Sequence, residues 1–367
     1  MAATTFTNVL NFEMLSGLIK EVIDGVPGDL LPSSFMTSNE SFEGKVGTYD
    51  RIATTRQAAR IVNAGSPSVN TKLQGISKQP ITLIHSFEHQ NHPAEQLISL
   101  RNEGGDGKQT KGEQTIAGQV REFGRGFSNL RQGAVYSLLA KGAIFVGADG
   151  SLLASGSGAA YTIDFDVPAG NKDQLNVLGD GDILDTDWTA AGTDINAQIE
   201  ALKSAARKLT GYPIKHAFYG TNVAGYLWAN TQIKAAITGS SRTSELMTAG
   251  ELPDGLLGLN WHPVNQAFFE LVNGTVTDWF GANDVIFTPD PSPDWYDMIE
   301  GSHFVPTDLT VGADASAMLA NIAEVTGGFS YAELATDPLS VKHMAGDTFS
   351  PVLKVPKALF IGEVPTA

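Results

Sequence analysis

Three histidines lie close together in the sequence and are of a residue type that binds transition metals. His85, His89 and His92 are spaced by four and then three residues, which on one face of a helix could bring two or three imidazoles to a single metal ion. The segment Ile81–Phe87, however, has the pattern of a strand, and Pro93 closes the segment. The sequence therefore favours a loop with hydrogen-bonded histidines over a metal site.

The segment Asn102–Thr110 has part of the pattern of a phosphate-binding loop, because Gly107 and Lys108 come just before a predicted helix. The motif is incomplete. Asn102 stands in place of its first glycine, and Gln109 stands in place of the serine or threonine that binds Mg²⁺. No strand-like run leads into the segment, so the pattern favours a mobile loop before the helix.

Aspartates are the other residues that could bind a cation. Asp164 and Asp166 share one face of a predicted strand, although a solvated strand face commonly carries such residues. The connection Gly170–Thr193 holds Asp180, Asp182, Asp185 and Asp187. It lacks the glutamate that completes a calcium loop. We therefore predict no catalytic residue, no cofactor site and no metal site.

The composition limits the partners of the chain. Its 24 lysines and arginines against 40 aspartates and glutamates give a net charge of −16, which excludes the basic groove that usually grips duplex DNA. Charged residues make up only 17% of the 367 residues, below the roughly 25% of an average globular protein. This composition fits a chain that buries its surface against copies of itself, and a loop-rich β protein would share it. Since there are no cysteines, disulfides and thiolate metal sites are excluded.

The sequence shows no membrane or export signal. No run approaches the roughly 18 apolar residues that a membrane helix needs. Met1–Asn11 lacks the basic and apolar parts of a signal peptide. A soluble protein that is not secreted by that route is therefore expected.

One long helix, over residues 113–142, dominates the predicted elements. Apolar residues recur there at alternating steps of four and three, which places them on one stripe of a helix. They are Ile116, Val120, Phe123, Phe127, Leu130, Ala134 and Leu138. Glycines lie inside the same run at Gly118, Gly124, Gly126 and Gly133, and each costs roughly 1 kcal/mol relative to alanine. Tertiary or subunit contacts must therefore hold the helix together.

The elements before this helix predict an arm and a projecting hairpin. Residues 1–45 are too poor in apolar residues to form their own core. The strand-like stretches Lys45–Ala53 and Gln79–Phe87 flank the polar stretch Asn63–Gly75. Because a two-stranded hairpin is marginal by itself, we predict that residues 46–92 lie on a neighbouring subunit.

This hairpin carries the candidate subunit contacts. Arg51, Arg56 and Arg60 are cations in a chain that is acidic overall. A single exposed ion pair contributes only about 0 to 1 kcal/mol, but repetition over many copies would make such pairs matter. We predict that these arginines reach acidic groups of another subunit.

The chain after the long helix predicts strands and then a second helical unit. Ala143–Gly147 and Tyr161–Val167 have strand patterns. Asp194 is a good N-cap for a helix that ends before Gly211, and Asn222–Ile237 is also helix-like. Together with the strand character of the last segments, these elements predict an α+β fold.

The order of these parts resembles the major capsid proteins of tailed bacteriophages, in particular the lambda-type major capsid protein E family. Members of that family carry an arginine-bearing helix that ends in a Leu-Leu-x-x-Gly segment, followed by a strand and then by a Val/Ile-Asp-Phe strand. The matching residues here are Arg131, Leu138, Leu139, Gly142, Ile163, Asp164 and Phe165. The helix before Gly211-Tyr212-Pro213 and the closing segment Ser350–Ala358 are also similar to the family, so the resemblance covers about Val46–Val364.

The resemblance implies the tailed-phage major capsid fold and a structural protein with no active site. Its expected parts are an N-terminal arm (1–45), an extended hairpin loop (46–92), a peripheral domain (93–193) with the spine helix 113–142, an axial domain (194–328) and a C-terminal return to the peripheral domain (329–367). Self-assembly into hexamers and pentamers of an icosahedral shell is implied. The shell would enclose double-stranded DNA without sequence-specific binding and without contact with a membrane.

The resemblance also implies other virion components. Residues 1–39 hold no long charged coiled coil, so we expect scaffolding to be a separate protein or a cleaved segment, beside a portal protein and a decoration protein. Assembly in the host cytoplasm and residence in the virion capsid follow from the same reading. The alternatives are a tail-tube or other virion structural protein, an encapsulin-like shell, and a hydrolase whose site the motifs do not reveal.

Overall fold

The computed structural model describes residues 12–25, 31–42, 47–52, 75–93, 106–237, 252–253, 255–264, 268–270, 276–306, 322–336 and 339–366. The helices are α1 (Phe12–Gly25), α2 (Asp106–Lys141), α3 (Ile195–Leu209), α4 (Val223–Ala229) and α5 (Thr231–Ile237). The strands are β1 (Ser38–Phe42), β2 (Gly47–Ile52), β3 (Ile76–Ile81), β4 (Ile84–Pro93), β5 (Ala143–Gly147), β6 (Leu152–Leu153), β7 (Ala159–Asp164), β8 (Lys172–Asp173), β9 (His216–Tyr219), β10 (Asn260–Pro263), β11 (Phe268–Glu270), β12 (Val276–Asp278), β13 (Asp284–Thr288), β14 (Tyr296–Pro306), β15 (Ile322–Thr326), β16 (Phe329–Thr336), β17 (Leu339–Leu353) and β18 (Phe360–Glu363).

The largest sheet is organised around β17. Over its first part β17 pairs antiparallel with β16 on one side and β4 on the other, and over its last residues it pairs antiparallel with β14. β1 adds to β14 as a parallel strand, and the outer half of β14 pairs with β15. From Val341 to Leu353, every side chain of β17 is buried or half-buried. This burial requires both faces of the sheet to be covered along this part of the strand.

A second sheet has the order β10-β9-β13-β18-β8. The C-terminal strand β18 lies inside it, antiparallel to β13 and parallel to β8. Residues of α3 and α4, such as Leu202 and Leu227, share a buried core with Val285 and Phe360 of this sheet. Chain segments far apart in sequence thus build one unit. The smaller sheets are β6-β5-β7, β2-β3 and β11-β12.

The long helix α2 lies between these layers. Leu138 and Leu139, near its C-terminal end, share a buried core with Ile286 of the second sheet and Leu353 of the largest sheet. Its middle, around Val120, packs on α1 and on the largest sheet instead. The predicted long helix is confirmed, and tertiary contacts hold it as its glycines require.

The start of α2 differs from the prediction. The helix begins at Asp106 and not at Glu113, so the residues from Asp106 to Thr110 are helical. The predicted mobile loop before the helix is therefore wrong for this part of Asn102–Thr110, while residues 102–105 lie outside the described residues. The pattern missed the extension because residues 106–112 contain no apolar side chain.

The predicted histidine loop is also wrong. His85, His89 and His92 all belong to the strand β4, which pairs with β17 from Ile84 to Pro93. Since side chains alternate along a strand, His85 and His89 lie on one face of the sheet and His92 lies on the other. The three side chains cannot converge on one ion, and the partner strand, which the local sequence does not contain, decides the conformation.

The predicted helix Asn222–Ile237 is broken into α4 and α5 at Asn230. The Asn230 side-chain oxygen accepts the backbone N–H groups of Gln232 and Ile233 at 3.0 and 3.1 Å, which caps the N-terminus of α5. Its side-chain nitrogen donates to the Thr193 carbonyl at 2.7 Å. Asn230 therefore ends α4 and begins α5.

Other predicted elements are confirmed. α3 begins after the predicted N-cap Asp194, whose carboxylate accepts the Ala197 N–H at 3.0 Å. The arm contains the helix α1. β7 ends at Asp164, earlier than predicted, because Asp166 has a left-handed backbone with φ 53°. Among the helices described, none is long and apolar enough to cross a bilayer.

Candidate assembly surfaces and the anchor of the long helix

The base of the predicted hairpin is a two-stranded ribbon fixed to the rest of the protomer. β2 and β3 pair antiparallel from Gly47↔Ile81 to Ile52↔Ile76. Next to the body, Tyr49 and Ile81 are buried together with Ile299 and Val352 of the largest sheet. The tip of the hairpin, residues 53–74, lies outside the described residues. The body thus fixes the orientation of the ribbon at its base.

Arg51 reinforces this base from within the same chain. Its guanidinium donates to the Asp166 carboxylate at 2.8 Å and to the Phe165 carbonyl at 2.6 Å. The left-handed backbone of Asp166 is held by a hydrogen bond from its N–H to the Asp164 carboxylate at 2.9 Å. Burial raises the pKa of the neighbouring Tyr49. Arg51 therefore ties the hairpin to the end of β7.

Only one of the three predicted contact arginines lies in the part of the chain that the structure describes. Arg51 is used within the protomer, and its contact with another subunit stays a prediction. Arg56 and Arg60 lie outside the described residues. The sequence offered no signal for the pairing of Arg51 with Asp166, because the two residues are 115 positions apart.

A buried ion cluster anchors α2 to the largest sheet. Arg131 has an exposed fraction of only 2%, and its Nε and Nη2 atoms donate to the two carboxylate oxygens of Asp347, each at 2.7 Å. A third nitrogen, Nη1, lies 2.9 Å from Oε1 of Glu300. The guanidinium carbon also lies 5.3 Å from the ring centroid of Phe349.

The electrostatics of this cluster follow from its geometry. Burial by itself lowers the pKa of Arg131, but the hydrogen bonds and charges of Asp347 and Glu300 outweigh burial and raise it above its usual value. The planar guanidinium fits a bidentate carboxylate contact that a lysine could not copy. Arg131, the residue on which the family resemblance rests in the long helix, therefore fixes that helix to β17 and β14.

The arm helix α1 is held against α2 and the same sheet. The Ser16 hydroxyl donates to the Ser330 carbonyl at 3.0 Å and accepts the Ser330 N–H at 3.1 Å. Behind this pair, the ring of the buried His343 lies 2.5 Å from the Ser330 hydroxyl. Burial, followed by the charge of His92, lowers the pKa of His343 to about 4. His343 is therefore neutral at pH 7.

The groups of the other candidate motifs do not converge. Asp164 and Asp166 serve the turn after β7, and Asp187 holds the Thr189 N–H and hydroxyl. No group of three or more histidine and acidic residues with metal-binding geometry occurs within the described ranges. The buried polar groups that the structure does bring together have a structural role, because they join the arm, the long helix and the sheet.

Comparison with known proteins shows which protein family this chain is similar to. A model of the family described as phage major capsid protein E matches residues 21–296, well over half of the chain. No curated protein sequence matches. The family is one of structural shell proteins and not of enzymes.

Several solved structures are similar to this chain, and one of them supports the fold. A crystal structure of a protein assigned as a capsid protein of a prophage of E. coli CFT073 is similar with a TM-score of 0.50 and 14% identity, covering 79% of this chain and 80% of that chain. A phage-related protein of Bordetella bronchiseptica RB50 has a TM-score of 0.46 and 12% identity, with 97% of each chain covered. The mature capsid of bacteriophage PhiM1 has a TM-score of 0.46 and 11% identity, with coverage of 92% and 89%. Only the first supports the fold assignment.

Proposed function

Because this chain belongs to the phage major capsid protein E family, we propose that it forms the hexamers and pentamers of an icosahedral shell around double-stranded DNA. The observation that carries the proposal is the family match over residues 21–296. The chain acts as a shell-forming structural protein, so its function lies in contacts between copies and not in catalysis.

The parts of the protomer support a division of labour. Residues 46–92 form the extended loop that lies over the next subunit, and Arg51 and the buried Tyr49 fix the base of that loop to its own protomer. Residues 194–328 form the axial domain at the centre of a capsomer. Residues 93–193 and 329–367 form the peripheral domain, in which the Arg131 cluster joins the long helix to the sheet.

The partners follow from charge and composition. A net charge of −16 repeated around a cavity repels the duplex and leaves neutralisation of the phosphates to mobile cations. We therefore assign the packaged DNA no specific site on this chain. Separate scaffolding, portal and decoration proteins belong to the same proposal, and assembly takes place in the host cytoplasm.

Electron microscopy of the concentrated, purified protein tests the proposal. Closed icosahedral shells are expected. Tubes would support a tail-tube protein instead, and single protomers at every concentration would contradict the assignment.

Deletion of residues 63–75 tests the role of the hairpin. The variant is expected to remain a folded protomer, with an unchanged circular dichroism spectrum, because the buried base of the hairpin stays intact. It should no longer form shells, since the part that reaches the neighbour is gone. Normal shells from this variant would contradict the role assigned to the hairpin.

A further inference from the structure

A basic cleft lies at the C-terminal end of α3 in this otherwise acidic chain. Its cavity of about 400 Å³ is lined by Lys203, Arg207 and Lys208 of the helix and by Lys215, beside Gly258. Glu200 at the rim pairs with Lys203 at 2.9 Å and compensates that charge. The other cations of the cleft are Arg207, Lys208 and Lys215.

Two of these lysines stand out. Lys208 and Lys215 are exposed, and neither forms an ion pair with the part of the chain that the structure describes. The helix dipole stabilises cations in the last turn of a helix, so it gives Arg207 and Lys208 a structural role without any partner. Lys215 lies beyond the helix, directly before β9, so the dipole does not account for it. Two separate segments thus bring positive charge to one concave surface, which fits an anionic partner.

The chain itself presents such a partner at the other end of α3. An acidic loop, residues 179–187, carries the exposed carboxylates Asp180 and Asp182. The loop is held in one shape, since the Leu184 N–H donates to the Gln174 carbonyl at 2.9 Å and the Leu184 side chain is fully buried. Gln198 of α3 also donates to the Asp185 carboxylate at 3.2 Å. A loop that is already ordered loses little entropy when it binds.

The acidic loop and the basic cleft of one protomer are too far apart to contact each other. Gln198, which holds the acidic loop, and Lys208, in the basic cleft, are ten residues apart on α3, so about 15 Å separates them along the helix axis. No residue of the loop lines the cleft. Two different complementary surfaces on one protomer allow a head-to-tail contact between copies, and such contacts form a ring when the rotation between neighbours closes.

We propose that the basic cleft around Lys208 and Lys215 receives the acidic loop 179–187 of the next copy of this chain in the capsomer ring. The inference rests on the proposed shell function and adds a specific contact to it. The contact steers neighbouring protomers into register by charge, and added salt weakens it because the charges are exposed.

Charge reversal with reciprocal rescue tests the contact. Lys208→Glu with Lys215→Glu, and separately Asp180→Lys with Asp182→Lys, should each lower the yield of closed shells at low ionic strength by about tenfold or more, since like charges then face each other. Combining all four substitutions restores opposite charges and should restore shells. Circular dichroism and melting temperature of each protomer verify folding.

Three results would overturn the proposal while leaving the shell function intact. They are normal shells from either pair of reversals, failure of the combined variant to assemble although it folds, and duplex DNA binding by the wild type that is lost in Lys208→Glu/Lys215→Glu. Arg125→Glu, a reversal of an exposed cation on α2 outside the cleft, is the matched control and should leave the yield of closed shells unchanged. Absence of shells from the wild type would instead contradict the proposed function itself.

Discussion

Arg131 shows at the scale of a residue how a polar group can hold a fold together. Removing one partner of a buried ion pair leaves an uncompensated charge, which typically costs about 3–5 kcal/mol. Arg131→Ala would leave both Asp347 and Glu300 without their cation. We expect the free energy of unfolding of the protomer to fall by that amount, measured by chemical denaturation.

Arg125 provides the control on the same helix. Its ion pair with Glu122 is exposed on both sides, so Arg125→Ala should cost less than about 1 kcal/mol. Arg131→Lys should recover little of the loss, because an ammonium cannot make the bidentate contact. Equal losses for Arg131→Ala and Arg125→Ala would show that the buried cluster does not anchor α2.

His343 gives the protomer a dependence on pH. The unfolded chain binds a proton at this residue near pH 6.5, whereas the folded chain binds it only near pH 4. The free energy of unfolding should therefore fall as the pH drops from about 6.5 to 4, by at most about 3 kcal/mol from this residue. The groups that face the ring are Ser330, His92 and Phe123.

His343→Gln tests this linkage, because glutamine can still hydrogen-bond to the Ser330 hydroxyl but does not titrate. Denaturation at a series of pH values should show a shallower loss for the variant than for the wild type between pH 6.5 and 4. Carboxylates titrate in both proteins, so the difference isolates the histidine. Identical slopes would rule out His343 as the titrating group.

At the scale of elements, the glycines of α2 have separate roles. A Cβ atom on Gly124 would lie 2.9 Å from the Cβ of Val22, so only glycine lets α1 and α2 approach this closely. A Cβ atom on Gly126 would meet nothing within 4 Å. Glycine is therefore required for packing at Gly124, whereas at Gly126 it only lowers the stability of the helix.

Alanine substitutions separate the two roles. Gly126→Ala should raise the free energy of unfolding by up to about 1 kcal/mol through helix propensity. Gly124→Ala should lower it by about 1–3 kcal/mol, because the overlap with Val22 outweighs the same gain in propensity. Thermal and chemical denaturation of the two variants check the signs, and a stabilised Gly124→Ala would refute the close contact.

At the scale of the whole molecule, the charge of −16 governs contact with nucleic acid. A phosphate contact from each lysine or arginine would release counterions and strengthen binding at low salt, and an acidic shell avoids such adhesion. We expect no duplex binding by the protomer at physiological salt in a gel-shift assay. A salt-sensitive affinity in the micromolar range would contradict the passive role of the shell wall.

The sequence determined those features that depend on neighbouring residues. The 3.6-residue period predicted the long helix, and Asp194 predicted the start of α3. The order of these parts was enough to identify the family. Each of these elements is encoded in a short stretch of the chain, and their order can be read along the sequence without knowledge of the contacts between them.

Only the tertiary structure decided the features that depend on distant partners. β4 is a strand across its three histidines because β17, some 250 residues later, hydrogen-bonds to it. Arg131 is the anchor of α2 because Asp347, 216 residues away, lies beside it after folding. Periodicity shows which face of an element is buried, but it does not identify the segment that covers that face, since packing is fixed by contacts between residues with no relation in sequence.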